Sequence, residues 1–178
     1  MNTEPISARR VFATPPETSE LRSATIATPI GELTVVGADG IVTSILLPQR
    51  DGSAAPTPVP RGASALAGPL GELDEYFRGH RSEFTMLLAP SGTGFQQLVW
   101  AALRAIPYGE TRTYGEVAAA VGRPRASRAV GGANNKNPIP IVVPCHRVIG
   151  ASGALVGYAG GLDQKATLLD LERKNAGV

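Results

Sequence analysis

Among the 178 residues there is a single cysteine, Cys145, and there are only two histidines, His80 and His146. One cysteine forms no internal disulfide, which sets aside a stapled secreted framework and fits a reducing compartment. These three side chains are too few for a Cys/His zinc site unless carboxylates join them, so no metal is expected, and no motif asks for a cofactor. No apolar run approaches the roughly 20 residues that a membrane span needs, and the N-terminus lacks the apolar stretch of a signal peptide. Arg9-Arg10 is followed by Ala13-Thr-Pro-Pro-Glu17 rather than by an apolar region, so twin-arginine export is not expected either. These absences predict a cytoplasmic protein with no membrane contact.

What is present suits a globular chain. It is 43% hydrophobic and 18% charged, enough to bury a sizeable core in one compact unit or two small ones. The net charge of +2 is unevenly placed: −3 over residues 1–90 and +5 over residues 91–178. The basic half holds the cysteine, and such an asymmetry suggests a polyanionic partner.

Residues 1–20 carry Pro5, Pro15 and Pro16 without sustained periodicity and read as a disordered tail. Residues 24–47 hold three β-rich segments separated by turn signals at Pro29-Ile-Gly31 and Gly37-Ala-Asp-Gly40, an antiparallel meander. A proline-rich loop follows over 48–62. Leu66, Leu70, Leu73, Tyr76 and Phe77 then fit an amphipathic helix over 64–79, and 84–88 reads as a further strand. Ser91-Gly-Thr-Gly94 marks a boundary, dividing a sheet-and-helix unit over 21–90 from a helical unit over 91–178. In the second unit Thr93 caps a helix over 94–106, and Thr113, with Glu116 at the capping-box position, caps a shorter one ending at Gly122. A third helix covers about 126–134, and the last two make a helix-turn-helix candidate. The final helix begins near Asp163 and carries Glu172, by default a solvated residue.

Two stretches carry chemistry. The helix with Ala126, Ser127, Ala129, Gly131, Gly132 and Ala133 has little side-chain bulk, and a Gly-Gly pair weakens a helix by about 1 kcal/mol per glycine. Its smallness fits tight packing against a neighbour, or entry into a narrow DNA groove with Arg123, Arg125 and Arg128 as phosphate contacts or as a side chain entering the base stack. The other stretch is Pro140-Ile-Val-Val-Pro-Cys-His-Arg-Val148. A thiol ionises near pH 8.5 unless cationic or hydrogen-bonding neighbours favour the thiolate, and His146 and Arg147 follow Cys145 directly. By itself the pair reads better as a buried cysteine acting as a small hydrophobe, with Ile141, Val142, Val143, Val148 and Ile149 around it.

Arg128-Ala-Val-Gly-Gly-Ala133, Asn137-Pro, Ile141-Val-Val-Pro-Cys-His-Arg-Val148 and Gly157-Tyr-Ala-Gly-Gly-Leu162, in this order and spacing, closely resemble the O6-alkylguanine-DNA alkyltransferases. The resemblance is strong over 93–172 and weaker through Thr28-Pro-Ile-Gly-Glu-Leu-Thr34. It implies an α/β protein: an N-terminal ribonuclease-H-like antiparallel sheet with a helix, and a C-terminal helical domain containing a winged helix-turn-helix. It also implies direct-reversal repair of double-stranded DNA containing O6-alkylguanine, with thymine O4 as a second candidate site, by irreversible single-turnover transfer of the alkyl group to Cys145. In that reading His146, oriented by Glu172 and acting through a water, takes the thiol proton, Asn137 supports the active-site turn, and Tyr114 donates to the purine. Arg128 fills the gap left by the extruded nucleotide. Arg123, Arg125, Ser127, Ala129, Gly131 and Gly132 meet DNA, and Val148, Tyr158, Ala159 and Gly160 form the base pocket. A base must leave the stack for this chemistry, at a penalty of a few kcal/mol.

The chain lacks the cysteines through which some relatives hold zinc and the second cysteine domain that others carry. A metal-free fold is therefore implied; no cofactor is expected, and the protein is expected to be monomeric when free, with cooperative assembly on DNA left open. The alternatives are an alkyltransferase-like protein that binds the lesion without repairing it, in which the cysteine is replaced, and a thiol hydrolase, which would leave the basic Gly-Gly helix unexplained.

Overall fold

A computed structural model describes residues 12–176. Arg9-Arg10 and the first part of the expected tail lie outside these residues. In the rest of the expected tail Phe12 lies against the core, the Ala13 amide donates to the Leu88 carbonyl at 2.8 Å, and Thr18–Glu20 form an exposed 3₁₀ turn.

Strands β1 (Arg22–Thr28), β2 (Gly31–Ala38) and β3 (Ile41–Leu46) form the expected meander. Asp39 and Gly40 both take positive φ, 47° and 80°, the backbone of a tight turn whose twist matches the strands it joins. The register shifts between Val36 and Gly37, where a Cβ on Gly37 would stand 2.1 Å from the Ile41 carbonyl oxygen; only glycine fits this bulge.

The sheet is mixed rather than purely antiparallel. Helix α1 (Ala67–Phe77), preceded by a 3₁₀ turn over Ala63–Leu66, carries the chain across so that β4 (Leu87–Leu88) pairs with β3 in parallel. The strand expected over 84–88 is cut short because the Thr85 amide and hydroxyl both donate to the Glu72 carboxylate, at 2.7 and 2.6 Å, and leave the ladder. Pro69 sits in the first turn of α1, where its missing N–H costs no hydrogen bond.

Four helices build the rest: α2 (Gly94–Arg104), α3 (Tyr114–Ala120), α4 (Ser127–Asn135) and α5 (Leu162–Asn175). Thr93 and Thr113 cap α2 and α3 as expected, each in a capping box completed by Gln96 or Glu116. Helix α5 starts earlier than Asp163, behind Gly161 at φ +89°, with no side-chain cap. A short parallel pair not foreseen from the sequence, β5 (Arg112–Thr113) with β6 (Val148–Ile149), clamps the segment after the cysteine to the start of α3.

One core runs through both halves of the chain, from Leu33, Leu73 and Tyr76 to Val99, Val143 and Leu168. Two bonds fix the parts that matter for function. The buried Trp100 indole donates to the Ala133 carbonyl at 2.9 Å, pinning α2 to α4, and the Ile45 amide donates to the Pro138 carbonyl at 2.8 Å, seating β3 against the cysteine segment. Among the described residues no helix is long and apolar enough to cross a membrane.

Candidate active site

The cysteine segment is wound tightly. Val143 N bonds the Ile139 carbonyl, Cys145 N the Val143 carbonyl and Arg147 N the Pro144 carbonyl, at 2.9, 2.8 and 3.0 Å, and Cys145–Arg147 form a 3₁₀ turn. Ile141 sits at φ +74°, a conformation that a β-branched residue avoids and that persists only where surrounding contacts over-determine it. Asn137 supplies such contacts: its amide donates to the Val143 carbonyl at 2.7 Å while its Oδ1 accepts from the Ile139 amide at 3.0 Å.

Cys145 is 5% exposed. Burial pushes its thiol up to about 11, opposed by a hydrogen bond with the Asn137 side chain and by the charge of Lys165. This corrects the expectation that the adjacent His146 and Arg147 favour the thiolate: at rest the group is a thiol, and its proton must be removed for it to react. Arg147 points away, its Nε and a terminal nitrogen each 2.9 Å from Glu172 and its other terminal nitrogen 2.6 Å from the Ile106 carbonyl.

His146 and Glu172 are both fully buried, which overturns the default of a solvated Glu172. Their Nε2 and Oε1 are 2.8 Å apart. Burial alone would raise the Glu172 carboxyl, but hydrogen bonds and charge from His146 and Arg147 prevail and hold it at about 2. An ionised carboxylate only accepts, so the imidazole proton stands on Nε2. Burial also lowers the His146 pKa, against the pull of Glu172, so the ring is neutral with a lone pair on Nδ1. That atom is buried and bonds no group among the described residues. A neutral imidazole held in one tautomer, next in the chain to a thiol that must lose a proton, can serve as a general base.

Above the cysteine opens a pocket of about 430 Å³, within the range of small-molecule sites. Of the expected residues, Cys145, Asn137, Tyr158 and Ala159 line it. Val148 and Gly160 do not; the Val148 side chain is in the core, while its carbonyl accepts from Lys165 at 2.5 Å. The N-terminal sheet contributes the opposite wall through Ser44 to Pro48, and Asn134 joins from the end of α4. The Tyr114 hydroxyl lies 3.3 Å from the Val156 carbonyl and 3.5 Å from that of Gly157, at the pocket's edge. Burial and the nearby Cys145 raise its pKa, so it is a proton donor at neutral pH.

Helix α4 presents Arg128, Ala129, Gly132, Asn135 and Lys136 on its exposed side and buries Val130, Ala133 and Asn134; Ser127 and Gly131 are half-buried. A Cβ on Gly132 would meet nothing within 4 Å, and one on Gly131 would make ordinary contact with the Tyr114 ring at 3.8 Å. Close packing inside the protein therefore does not require the Gly-Gly pair. Arg125 is exposed in the preceding turn, and Arg123 lies 5.6 Å over the Phe95 ring.

Four participants escape local sequence reasoning: Arg147 as an anchor of Glu172, Tyr76, Lys165 and Asn134. A signal existed for one of them. Lys165, Leu168, Leu169 and Glu172 share one face of α5 at i, i+3, i+4 and i+7, so two charges stand in an apolar stripe, and both are fully buried. Tyr76 reads as core in α1 and gives no sign that its hydroxyl reaches a residue almost a hundred positions away.

Residues 94–174 match the model of the 6-O-methylguanine DNA methyltransferase DNA-binding domain. The chain is 51% identical over 152 residues to the methylated-DNA–protein-cysteine methyltransferase of Mycolicibacterium paratuberculosis, covering 85% of this chain and 92% of the relative. It is 47% identical over 154 residues to the constitutive enzyme of that name from Bacillus subtilis, covering 84% and 93%. Among solved structures, the O6-methylguanine methyltransferase of Mycobacterium tuberculosis superposes with a TM-score of 0.80 at 46% identity, covering 87% of this chain and 94% of that one. The same organism's OGT in complex with DNA gives 0.79 at 48% identity, covering 87% and 93%. With a buried thiol at the foot of a pocket, a carboxylate-held imidazole behind it and likeness along almost the whole length of these proteins, the chain belongs to the methylated-DNA–protein-cysteine methyltransferase family.

Proposed function

We propose that this protein repairs DNA by direct reversal, moving a methyl or larger alkyl group from guanine O6, with thymine O4 as a second candidate, to the sulfur of Cys145. One observation carries the reading: the only cysteine lines a base-sized pocket and is followed directly in its turn by His146, which is buried against Glu172.

The chemistry is a displacement at carbon. His146 Nδ1 accepts the thiol proton, by way of a water, as Glu172 stabilises the imidazolium that forms. The thiolate attacks the alkyl carbon in line, the S–C bond forms as the C–O bond breaks, and the electron pair departs with the guanine. Tyr114 protonates or hydrogen-bonds the purine ring, neutralising the leaving anion. A thioether is not hydrolysed as a thioester is, so the product cysteine is permanent and each molecule acts once. No metal or cofactor takes part.

Substrate presentation falls to α3 and α4, read as a winged helix-turn-helix. The smooth face of α4 enters the minor groove, with Ser127, Ala129, Gly131 and Gly132 close to the sugar-phosphate backbone and Arg123 and Arg125 on phosphates. Arg128 occupies the space of the extruded nucleotide, whose base enters the pocket beside Tyr158 and Ala159. In this reading the units divide near residue 90 into a ribonuclease-H-like N-terminal domain and a DNA-binding C-terminal one, and the protein works as a cytoplasmic monomer when free.

The test is direct. The protein is incubated with a duplex containing O6-methylguanine, and its intact mass and peptide map are recorded. A stoichiometric gain of one methyl on Cys145, absent from Cys145→Ser, is expected. Tight binding without modification would identify a lesion-binding protein instead, and no DNA binding would overturn both readings.

A further inference from the structure

The Tyr76 hydroxyl, on α1 of the N-terminal half, stands 2.8 Å from Glu172 Oε1, the same oxygen that meets His146 Nε2 at 2.8 Å and an Arg147 terminal nitrogen at 2.9 Å. Glu172 Oε2 is held by Arg147 Nε at 2.9 Å and by the Gly109 amide at 3.0 Å. Arg147 already grips both oxygens and fixes the plane of the carboxylate. Tyr76 is therefore not needed to orient it, and what it adds is a competing donor on the one oxygen that serves the histidine. Burial and the Glu172 charge raise the Tyr76 pKa well above its ordinary value, so the hydroxyl keeps its proton and donates. Its ring is fixed, fully buried, with Phe77, Phe84 and Tyr108 at centroid distances of 5.2, 5.3 and 6.0 Å.

We propose that Tyr76 is a positioning residue that sets the basicity of His146 by sharing Glu172 Oε1 with it, so that the N-terminal half tunes the proton relay of the C-terminal half. This rests on the reading of His146 as the base. A carboxylate oxygen that accepts a second strong hydrogen bond has less charge to offer an imidazolium. The charged or titratable groups facing His146 are Glu172 and Lys165 from α5, Arg147 from its own turn and, through Glu172, Tyr76 from α1; Tyr108 faces Tyr76. Of these only Tyr76 competes for the shared oxygen without contributing a charge. Its donation weakens the hold of Glu172 on the imidazolium and so keeps His146 a weaker base, from a buried position outside the pocket lining.

The experiment uses the full chain carrying Tyr76→Phe, which keeps the ring contacts and removes the hydroxyl. The His146 titration is followed by nuclear magnetic resonance, and the single-turnover methyl transfer rate is measured against pH. The expected result is a His146 pKa raised by about one unit, with the acid limb of the rate profile displaced upward by the same amount and little loss on the alkaline side. A ring-fluorinated tyrosine at position 76, a stronger donor of nearly unchanged shape, should move both in the opposite direction. A loss of rate equal at every pH with an unmoved His146 pKa would overturn the proposal and leave Tyr76 a packing residue. Absence of methyl transfer by the unaltered protein would instead overturn the function proposed above, while the His146 titration would still decide the coupling.

Discussion

The Asn137 side-chain amide donates to the Val143 carbonyl at 2.7 Å, two residues ahead of the cysteine, and so closes the turn in which Ile141 is held at φ +74°. Asn137→Ala removes both this bond and the acceptor of the Ile139 amide, leaving that buried amide without a partner and the Val143 carbonyl with the Cys145 amide alone. A loss of about 1–3 kcal/mol in chemical denaturation is expected. The repair rate should fall further than the stability does, by about tenfold or more, because a displaced thiol loses its in-line approach. Unchanged single-turnover kinetics would remove Asn137 from the site.

The raised Cys145 pKa makes two linked statements about pH. A small electrophile that reacts only with thiolate should modify Cys145 about tenfold faster per pH unit between pH 7 and 9, still short of a plateau, since the folded thiol titrates near 11. Because the folded value lies above the ordinary 9.0, the buried thiol stabilises the fold below about pH 9 and this contribution is lost as pH rises toward 11. Cys145→Ala should therefore flatten the alkaline decline in stability, as followed by thermal melts across that range.

Glu172 behaves in the opposite sense. Its folded carboxyl is held near 2, below its ordinary 4.5, so the stability it contributes is present above pH 4.5 and is lost as pH falls toward 2. The contribution is about 3 kcal/mol by linkage. Glu172→Gln should unfold more easily at neutral pH and show a shallower acid transition than the unaltered protein, measured by denaturant titration at a series of pH values. Repair should fall as well, since His146 loses the charge that stabilises its protonated form.

Two substitutions on α4 separate DNA contact from folding. Arg128→Ala, at an exposed position, should leave stability unchanged and lower repair of O6-methylguanine in duplex DNA much more than reaction with the free base. Equal losses on both substrates would show that Arg128 is not the extrusion residue. Gly132→Leu meets open space in the free protein, so the helix should gain stability by a few tenths to about 1 kcal/mol while duplex affinity drops. Retained affinity would mean that this face does not meet DNA.

How much of this was legible in the chain varies element by element. The meander over 24–47 and the caps at Thr93 and Thr113 depend on signals a few residues long, turn glycines and capping boxes, and the strand ends agree with the structure to within two residues. The strand after α1 is shorter than the sequence pattern predicts because Thr85 turns to Glu72, a partner thirteen positions away that no local pattern announces. The base pocket was half legible. Asn137, Cys145, Tyr158 and Ala159 come from the motif-bearing part of the chain, whereas the wall from Ser44 to Pro48 is a strand end brought there by the Ile45–Pro138 hydrogen bond.

That a lone cysteine is followed by a histidine, that a basic helix of small residues precedes it, and which family the motifs resemble are all legible in the chain, because they are properties of residue type and short spacing. Their electrostatics depend on packing. Burial makes Cys145 a thiol rather than a thiolate, turns Arg147 from the cysteine to Glu172, and carries Glu172 from an apparent surface helix into the core, where Tyr76, Arg147, His146 and the Gly109 amide converge on it. The charge state of each group depends on how much water is removed and which distant donors replace it, and those are set by packing between segments far apart in the chain.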